Sequence, residues 1–197
     1  MNFRIVPGVL AAVLLAGCSQ TMSQPTAGMQ PGMTATADPM VGGAAMYPNK
    51  TIVQNAVNSP DHTTLVAAVK AAGLVDTLNG PGPFTVFAPT NEAFALLPDG
   101  TVATLLKPEN KATLTKVLTY HVVPGTMDSK ALMAAIAAGG GKATLTTVAG
   151  EPLVAMMGAP GTITLTDAKG DVATVTIADV YQSNGVIHVI DHVLLPG

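Results

Sequence analysis

Two segments decide the fold of this chain: Phe84-Thr-Val-Phe-Ala-Pro-Thr-Asn-Glu-Ala-Phe-Ala-Leu-Leu-Pro98 and Asn184-Gly-Val-Ile-His-Val-Ile-Asp-His-Val-Leu-Leu-Pro196. Each opens on a run of apolar and β-branched residues that is typical of a buried strand. In the first segment Pro89 stops the strand, and Thr90 or Asn91 is placed to cap a short helix. The two segments therefore predict two core strands that bracket one folded unit.

Helical patterns precede residue 139. Apolar residues recur at helical spacing in residues 51–58, 65–72, 101–106, 109–119 and 129–138. Asp61 or Thr63 is expected to cap the second of these helices, and Gly73 to end it. The triple glycine at 139–141 follows the last helix, so it predicts a loop and not a phosphate cradle.

Strand patterns follow residue 141. Short β-branched runs separated by glycine-containing turns occupy residues 144–148, 153–157, 162–166, 172–178 and 186–195. Helices gathered early and strands gathered late predict an α+β fold, not an alternating α/β fold.

Together the two quoted segments resemble the two signature boxes of the fasciclin domain, and residues 49–197 fit that family as a single domain. The resemblance implies a fasciclin-like β-sandwich or wedge flanked by several short helices. It also implies extracellular adhesion or surface interaction, and no catalysis.

Residues 1–17 have the pattern of a lipoprotein signal peptide, with Arg4 before an apolar run that is too short to span a bilayer. The run ends in Leu15-Ala16-Gly17-Cys18, which resembles the lipobox of bacterial lipoproteins. The resemblance implies cleavage before Cys18, lipidation of its sulfur and a membrane anchor. Ser19 is similar to the outer-membrane sorting pattern, with the face of that membrane left open. The alternative is an ordinary signal peptide with an incidental cysteine.

Residues 18–48 are rich in Met, Pro, Gly and Thr, carry almost no charge and lack periodicity, so we expect a disordered tether after the lipidated cysteine. Thioethers are soft ligands that suit Cu(I). A featureless tether is nevertheless favoured, because the methionines are irregularly spaced and no histidine lies near them in the sequence. These methionines are Met22, Met29, Met33, Met40 and Met46.

Composition excludes some classes of partner. Charged residues make up 11% of the chain and apolar residues 48%. Arg4 lies in the signal, so the mature chain has no arginine and its lysines are outnumbered by carboxylates. Nucleic-acid binding is therefore not expected. Without Trp or Arg, a single high-affinity protein partner is also disfavoured, and weak or multivalent contacts with matrix or protein partners fit better.

No catalytic motif is present, and we predict no enzyme, no cofactor and no metal centre. His188 and His192 are four residues apart on a predicted strand, about 13 Å, which is too far for one metal ion. Asp191 and His192 are neighbours on the same predicted strand and are expected to point to opposite faces, which argues against a dyad.

Tyr120-His121 matches the Tyr-His motif of the fasciclin family, which in animal members is implicated in integrin recognition, and is the candidate interaction motif. The favoured alternative is that His121 is a buried, hydrogen-bonded residue at the helix-to-strand junction. Thr90, Asn91, His188 and Asp191 occupy positions of the family boxes and are assigned structural roles, whereas His192 is expected at the surface.

The sequence thus predicts a non-catalytic, lipid-anchored envelope or cell-surface protein that mediates adhesion or matrix contact. An alternative is an envelope binding module for a small apolar or metal-containing ligand. A purely structural envelope protein is the third hypothesis.

Overall fold

The computed structural model describes residues 39–98, 100–159 and 161–197. The helices lie between residues 52 and 138, and 3-10 turns at Pro60–His62 and Pro108–Asn110 lead into two of them. The helices are α1 (Ile52–Ala56), α2 (Thr63–Ala72), α3 (Val75–Leu78), α4 (Asn91–Ala95), α5 (Thr101–Leu105), α6 (Lys111–Tyr120) and α7 (Ser129–Ala138).

The strands form a two-stranded ribbon, β1 with β2, and a seven-stranded sheet with the order β4-β3-β9-β8-β7-β6-β5. They are β1 (Met40–Val41), β2 (Ala44–Ala45), β3 (Phe84–Pro89), β4 (Val122–Pro124), β5 (Lys142–Thr146), β6 (Pro152–Met157), β7 (Ile163–Thr166), β8 (Val172–Gln182) and β9 (Gly185–Ile190). Neighbouring strands are antiparallel except β3 and β9, which run parallel with Phe87 beside His188. The two segments that decide the fold therefore pair with each other, beside the edge strand β4.

The predicted α+β class is confirmed, and the strand ends differ from expectation in an instructive way. Strand β9 stops at Ile190 instead of continuing to residue 195. At that point the Asp191 carboxylate accepts the backbone N–H of Thr174 at 2.6 Å, while the Asp191 N–H still donates to the carbonyl of Thr174 at 3.2 Å. Strand β8 is longer than predicted and carries two register shifts between Val175 and Val180.

Two apolar clusters lie on opposite faces of the central strands, because successive side chains of a strand point to opposite sides. Val86 and Ile187 face a cluster built with α1, α2 and α6. Phe87 and Ile190 face a second cluster, built with α7 and the inner sides of β5 to β8. His188 also points to the second face, so its imidazole lies in the interior of the protein.

Residues 40–46 correct the predicted end of the tether. Strands β1 and β2 form a ribbon across Gly42-Gly43, which we call the N-terminal hairpin, and Met46 follows it directly. Val41 and Met46 are 3% and 2% exposed and belong to the helical-side core. The folded unit therefore begins about ten residues earlier than the sequence predicts. The apolar side chains of Val41 and Met46, on either side of the Gly42-Gly43 turn, anchor the hairpin to the core.

The predicted signal peptide, the lipidation site Cys18 and the tether up to residue 38 lie outside the described residues. Among the residues that are described, no helix is both long and apolar enough to cross a membrane.

Candidate functional site

The candidate interaction motif lies at the end of α6, where the chain turns into β4. Tyr120 is completely buried, and its hydroxyl donates a hydrogen bond to the carbonyl of Pro152 at 2.9 Å. His121 is 2% exposed. This burial agrees with the alternative that the pair has a structural role, in which both residues join α6 to the sheet.

His121 uses both ring nitrogens internally. Its Nδ1 lies 2.8 Å from the carbonyl of Val117, and its Nε2 lies 3.0 Å from the backbone N of Leu194. The carbonyl can only accept and the N–H can only donate, so the imidazole is neutral with its proton on Nδ1. Burial lowers the pKa of His121 to about 4, although the Val117 carbonyl and Asp167 act in the opposite direction.

His188 is equally enclosed on the other side of the sheet. Its Nε2 lies 2.8 Å from the carbonyl of Met127, its Nδ1 accepts the backbone N–H of Asp179, and its ring stacks on Phe87 with 5.6 Å between centroids. Burial lowers the pKa of His188, with smaller opposing effects from the Met127 carbonyl and nearby carboxylates. The arrangement has no free ring nitrogen to offer a substrate or metal.

His62 is a third buried imidazole. Its Nδ1 lies 2.9 Å from the hydroxyl of Ser59, and its Nε2 is buried without a hydrogen-bond partner in the described part of the chain. Burial lowers the pKa of His62, against opposing effects from the Ala88 backbone and Asp61.

Asp191 and His192 form a pair, so the prediction that they point apart is wrong. Their Oδ1 and Nδ1 atoms lie 2.9 Å from each other, because β9 ends before them and the strand alternation no longer applies. Burial by itself would raise the pKa of Asp191, but hydrogen bonds from Thr174 and His192 hold it below its ordinary value. Both side chains are more than a third exposed, and neither meets a third catalytic group in the described residues.

Thr90 and Asn91 have separate roles. Thr90 is the N-cap of α4, and its hydroxyl accepts the backbone N–H of Ala93 at 3.2 Å. Asn91 instead accepts the backbone N–H of Thr64 at 3.0 Å and donates to the carbonyl of Pro60 at 2.8 Å. The predicted caps Asp61 and Thr63 do not cap α2, because the Asn91 side chain satisfies its first turn from another helix.

Asn184 and Asp179 are polar residues whose roles sequence reasoning missed. The Asn184 amide accepts the backbone N–H of Ile52 at 3.1 Å and donates to the carbonyl of Leu78 at 2.7 Å, which joins the β8–β9 turn to α1 and α3. Asp179 adopts a positive φ of 59° and accepts the backbone N–H of Ser129 at the start of α7. The partners of both residues are distant in the sequence, so no local sequence pattern indicates these roles.

No cluster of three or more His, Cys, Asp or Glu residues suitable for a metal occurs among the described residues. His188 is fully buried, whereas His192 is exposed beyond the strand end.

The described residues include an open groove and an enclosed apolar cavity near the central helices and strands. An open groove of about 460 Å³ lies beside Tyr181, which is 48% exposed, and is bordered by residues 81–83 and 183–186. A smaller apolar cavity of about 40 Å³ lies between the sheet and α1 to α3, with Ile52, Val69 and Leu118 in its wall.

Comparison with known proteins identifies the class of this domain. The family model of the fasciclin domain matches residues 60–196, so the chain belongs to the fasciclin domain family. Protein sll1483 of Synechocystis sp. is 47% identical over 190 residues, which cover 95% of this chain and 96% of that protein.

Two further comparisons link the family to surfaces. The cell surface glycolipoprotein MPB83 of Mycobacterium bovis is 33% identical over 185 residues, covering 91% of this chain and 70% of that protein. The solved structure of a domain pair from the insect cell adhesion molecule fasciclin I superposes with a TM-score of 0.53 at 25% identity. That match covers 66% of this chain and 43% of the insect chain. Fasciclin relatives thus include cell-surface and adhesion proteins.

Proposed function

We propose that this protein is a non-catalytic, lipid-anchored envelope protein that mediates adhesion or matrix contact through the surface of its fasciclin domain. One observation carries the proposal: His121 and His188, two buried imidazoles of the domain, bond through both ring nitrogens to backbone groups. They stabilise the fold and have no capacity left for a substrate. A domain of this kind acts through its exterior.

The composition of the exterior supports weak, repeated contacts. Tyr47 and Tyr181 are 41% and 48% exposed, and they supply the partly exposed aromatic rings of a domain without Trp or Arg. Large aromatic and Arg side chains usually dominate tight interfaces. A domain with two exposed tyrosines and no arginine suits many low-affinity contacts, which an array of anchored copies would strengthen through effective concentration.

The anchor itself is inferred from residues 1–18. The lipobox-like Leu15-Ala16-Gly17-Cys18 supports lipidation, and Ser19 supports outer-membrane sorting. The relative MPB83, named a cell surface glycolipoprotein, supports the same arrangement by analogy. Several acyl chains, each contributing about 0.8 kcal/mol per buried methylene, would hold the domain firmly on a bilayer.

The apolar cavity gives little support to the alternative of a small apolar ligand. Its volume of about 40 Å³ is well below the roughly 150 Å³ of an engineered apolar cavity that admits benzene. An apolar ligand of ordinary size would need α1 or α3 to move away from the sheet.

The first test is surface accessibility. Intact cells are treated with protease and probed for the domain, with wild type compared with Cys18→Ala. The proposal expects digestion of the wild-type domain on intact cells and release of the variant into soluble fractions. Protection until the outer layer is broken would contradict surface adhesion, and membrane retention of Cys18→Ala would contradict the lipid anchor.

The second test measures attachment of a deletion strain complemented with wild type, Tyr181→Ala or Val148→Ala. Val148 is 46% exposed and lies away from the groove, so it serves as the matched control. Attachment is expected to fall in the deletion strain and with Tyr181→Ala, and to recover with Val148→Ala. A deletion strain that attaches as well as its parent would remove the adhesion proposal.

A further inference from the structure

An exposed aromatic ring and a lysine stand together where the chain enters the domain. Tyr47 comes directly after the N-terminal hairpin and is 41% exposed. Asn55 of α1 accepts the backbone N–H of Tyr47 at 3.2 Å and donates to its carbonyl at 2.7 Å, so this part of the chain is fastened to α1. The ammonium of Lys50 lies over the Tyr47 ring, 4.6 Å from its centroid.

Partly exposed valines continue this surface along α1. The backbone N–H of Val57 donates to the carbonyl of Val53, so the two side chains lie one turn apart on the same side of the helix. An open depression of about 440 Å³ is bordered by both valines and by Lys50. Val53 is also part of the wall of the apolar cavity between the sheet and α1 to α3, as is Lys70 of α2. We call this continuous surface, formed by Tyr47, Lys50, Val53, Val57 and Lys70, the α1 face.

The α1 face is cationic, although carboxylates outnumber lysines in the mature chain. Within the described residues, neither the depression nor the cavity has an Asp or Glu in its wall, and Asp61 and Asp76 border neither of them. The ion pairs formed by the described residues involve Lys116 and His192, and not the two lysines of the α1 face. Its charge and its apolar side chains therefore match a surface that presents negative groups above an apolar layer.

We propose that the α1 face docks on the surface of a bilayer that contains anionic phospholipid. Tyrosine rings are enriched at the boundary between membrane and water. Lysines keep their methylene groups against apolar neighbours while their ammonium groups reach the headgroups, and anionic lipids attract them there. Val53 and Val57 contact the boundary between headgroups and acyl chains.

The place of the α1 face in the chain favours a bilayer as its partner, and this step rests on the proposed lipid anchor at Cys18. Residues 18–38 join Cys18 to the first described residue and span at most roughly 70 Å. An anchored domain therefore meets the bilayer at high effective concentration. Two lysines and two valines are too few to bind a free domain tightly, but they are enough to orient a domain that is already anchored.

The test anchors the domain chemically and asks which side of it lies near the lipid. Cys18 is the only cysteine of the chain, so its thiol can be coupled to a maleimide lipid. The mature chain, residues 18–197, keeps every residue that the structure describes, and it is coupled to nanodiscs of phosphatidylcholine and phosphatidylglycerol, one chain per disc. A lipid with a gadolinium-chelating headgroup broadens the NMR signals of nearby amides. We expect the largest loss of intensity at residues 50–58, and uniform broadening or a maximum elsewhere would overturn the proposal.

Matched variants test the side chains of the α1 face. Lys50→Glu combined with Val57→Ser is expected to abolish the preferential broadening. Lys142→Glu combined with Val148→Ser is the control, because it makes the same changes at an exposed lysine and an exposed valine of another part of the domain, and it should keep the pattern of the parent. An α1-face variant that keeps the pattern, or a control that loses it, would overturn the proposal.

Lipid composition tests the charge of the partner without any substitution. Nanodiscs of phosphatidylcholine alone are expected to abolish the preferential broadening of the parent chain, and an unchanged pattern there would overturn an anionic bilayer as the partner. This comparison also decides the question if the α1-face variant fails to fold. Amide shifts at residues 50–58 that grow with the concentration of the Cys18→Ala chain in solution would assign the α1 face to a second copy and overturn the proposal.

The two proposals fail separately in these experiments. Because the thiol is coupled chemically, absence of lipidation in cells would refute the anchor of the proposed function and leave the broadening pattern unchanged. A coupled domain without a preferred side toward the lipid would refute the docking surface and leave the anchor intact.

Discussion

The Nε2 atom of His121 accepts a hydrogen bond from the backbone N–H of Leu194 at 3.0 Å, which joins positions 73 residues apart in the chain. The same imidazole is bonded to Val117 one helical turn earlier, so α6 is fastened to the segment that follows β9. Asp167 holds the adjoining residue Leu195 through its backbone N–H at 2.8 Å. The His121 imidazole therefore links α6 to the chain that follows β9.

The low pKa of His121 predicts a specific pH dependence of stability. Between its ordinary value of 6.5 and about 4, the unfolded chain binds a proton that the folded chain does not. The contribution of neutral His121 to the free energy of unfolding is therefore full above pH 6.5. It falls as the pH drops, and below about pH 4 this group causes no further loss. The total loss is about 3 kcal/mol, with His188 and His62 acting in the same direction.

Urea unfolding at pH 7.5, 6.5, 5.5 and 5.0 measures this dependence before most carboxylates titrate. His121→Gln, which has no titrating ring, is expected to be less stable at pH 7.5 and to show a shallower decline, by up to about 1.4 kcal/mol per pH unit. A variant with the same slope as wild type would contradict the assignment of this proton to His121.

The sequence pattern predicted correctly those elements whose ends are determined by residues next to them in the chain. Helix α7 covers the expected residues 129–138, because Asp128 caps its start by accepting the N–H of Ala131 and Gly139 follows its end. The pairing of β3 with β9 was also within reach, since both segments read as buried strands. The local patterns did not predict which polar side chains would form hydrogen bonds with other helices or strands.

The missed features depend on contacts between distant parts of the chain. Asn91 and Asn184 resemble ordinary turn or capping residues in the sequence, yet each satisfies the backbone of another helix. The N-terminal hairpin has strands of two residues, which is too short for periodicity to register. His62 has no neighbouring motif, and its buried environment exists only once residues 40–46 fold over it.

Replacing Gly185 with Ala is expected to destabilise the protein by roughly 1–3 kcal/mol or more. A Cβ at this position would overlap the carbonyl oxygen of Phe84 in the paired strand, so β3 and β9 would have to separate. The measurement is thermal or urea unfolding, with Ser183→Ala in the adjacent turn as the control. Equal midpoints for the two variants would show that the strands tolerate the added methyl group.

Asn184→Ala is expected to cost about 2–3 kcal/mol, because it leaves the N–H of Ile52 and the carbonyl of Leu78 without their side-chain partner. Asn58→Ala is the matched control, since Asn58 is exposed and bonds only locally to the Gln54 carbonyl. The two variants are compared by urea unfolding. Hydrogen exchange should show faster opening of α1 and α3 in Asn184→Ala, and unchanged exchange there would contradict the bridging role.

Asn91→Ala tests whether one side chain stabilises the start of a helix to which it does not belong. Loss of the bonds to Thr64 and Pro60 is expected to destabilise the protein by about 1–2 kcal/mol, which is comparable to the loss of an N-cap. Thr90→Ala removes the true cap of α4 and is the comparison variant, with a cost of about 1 kcal/mol. Amide exchange separates the two effects: Asn91→Ala should expose the first turn of α2, and Thr90→Ala the first turn of α4. If both variants loosened only α4, Asn91 would be a local capping residue, and the contact between the two helices would carry no stability.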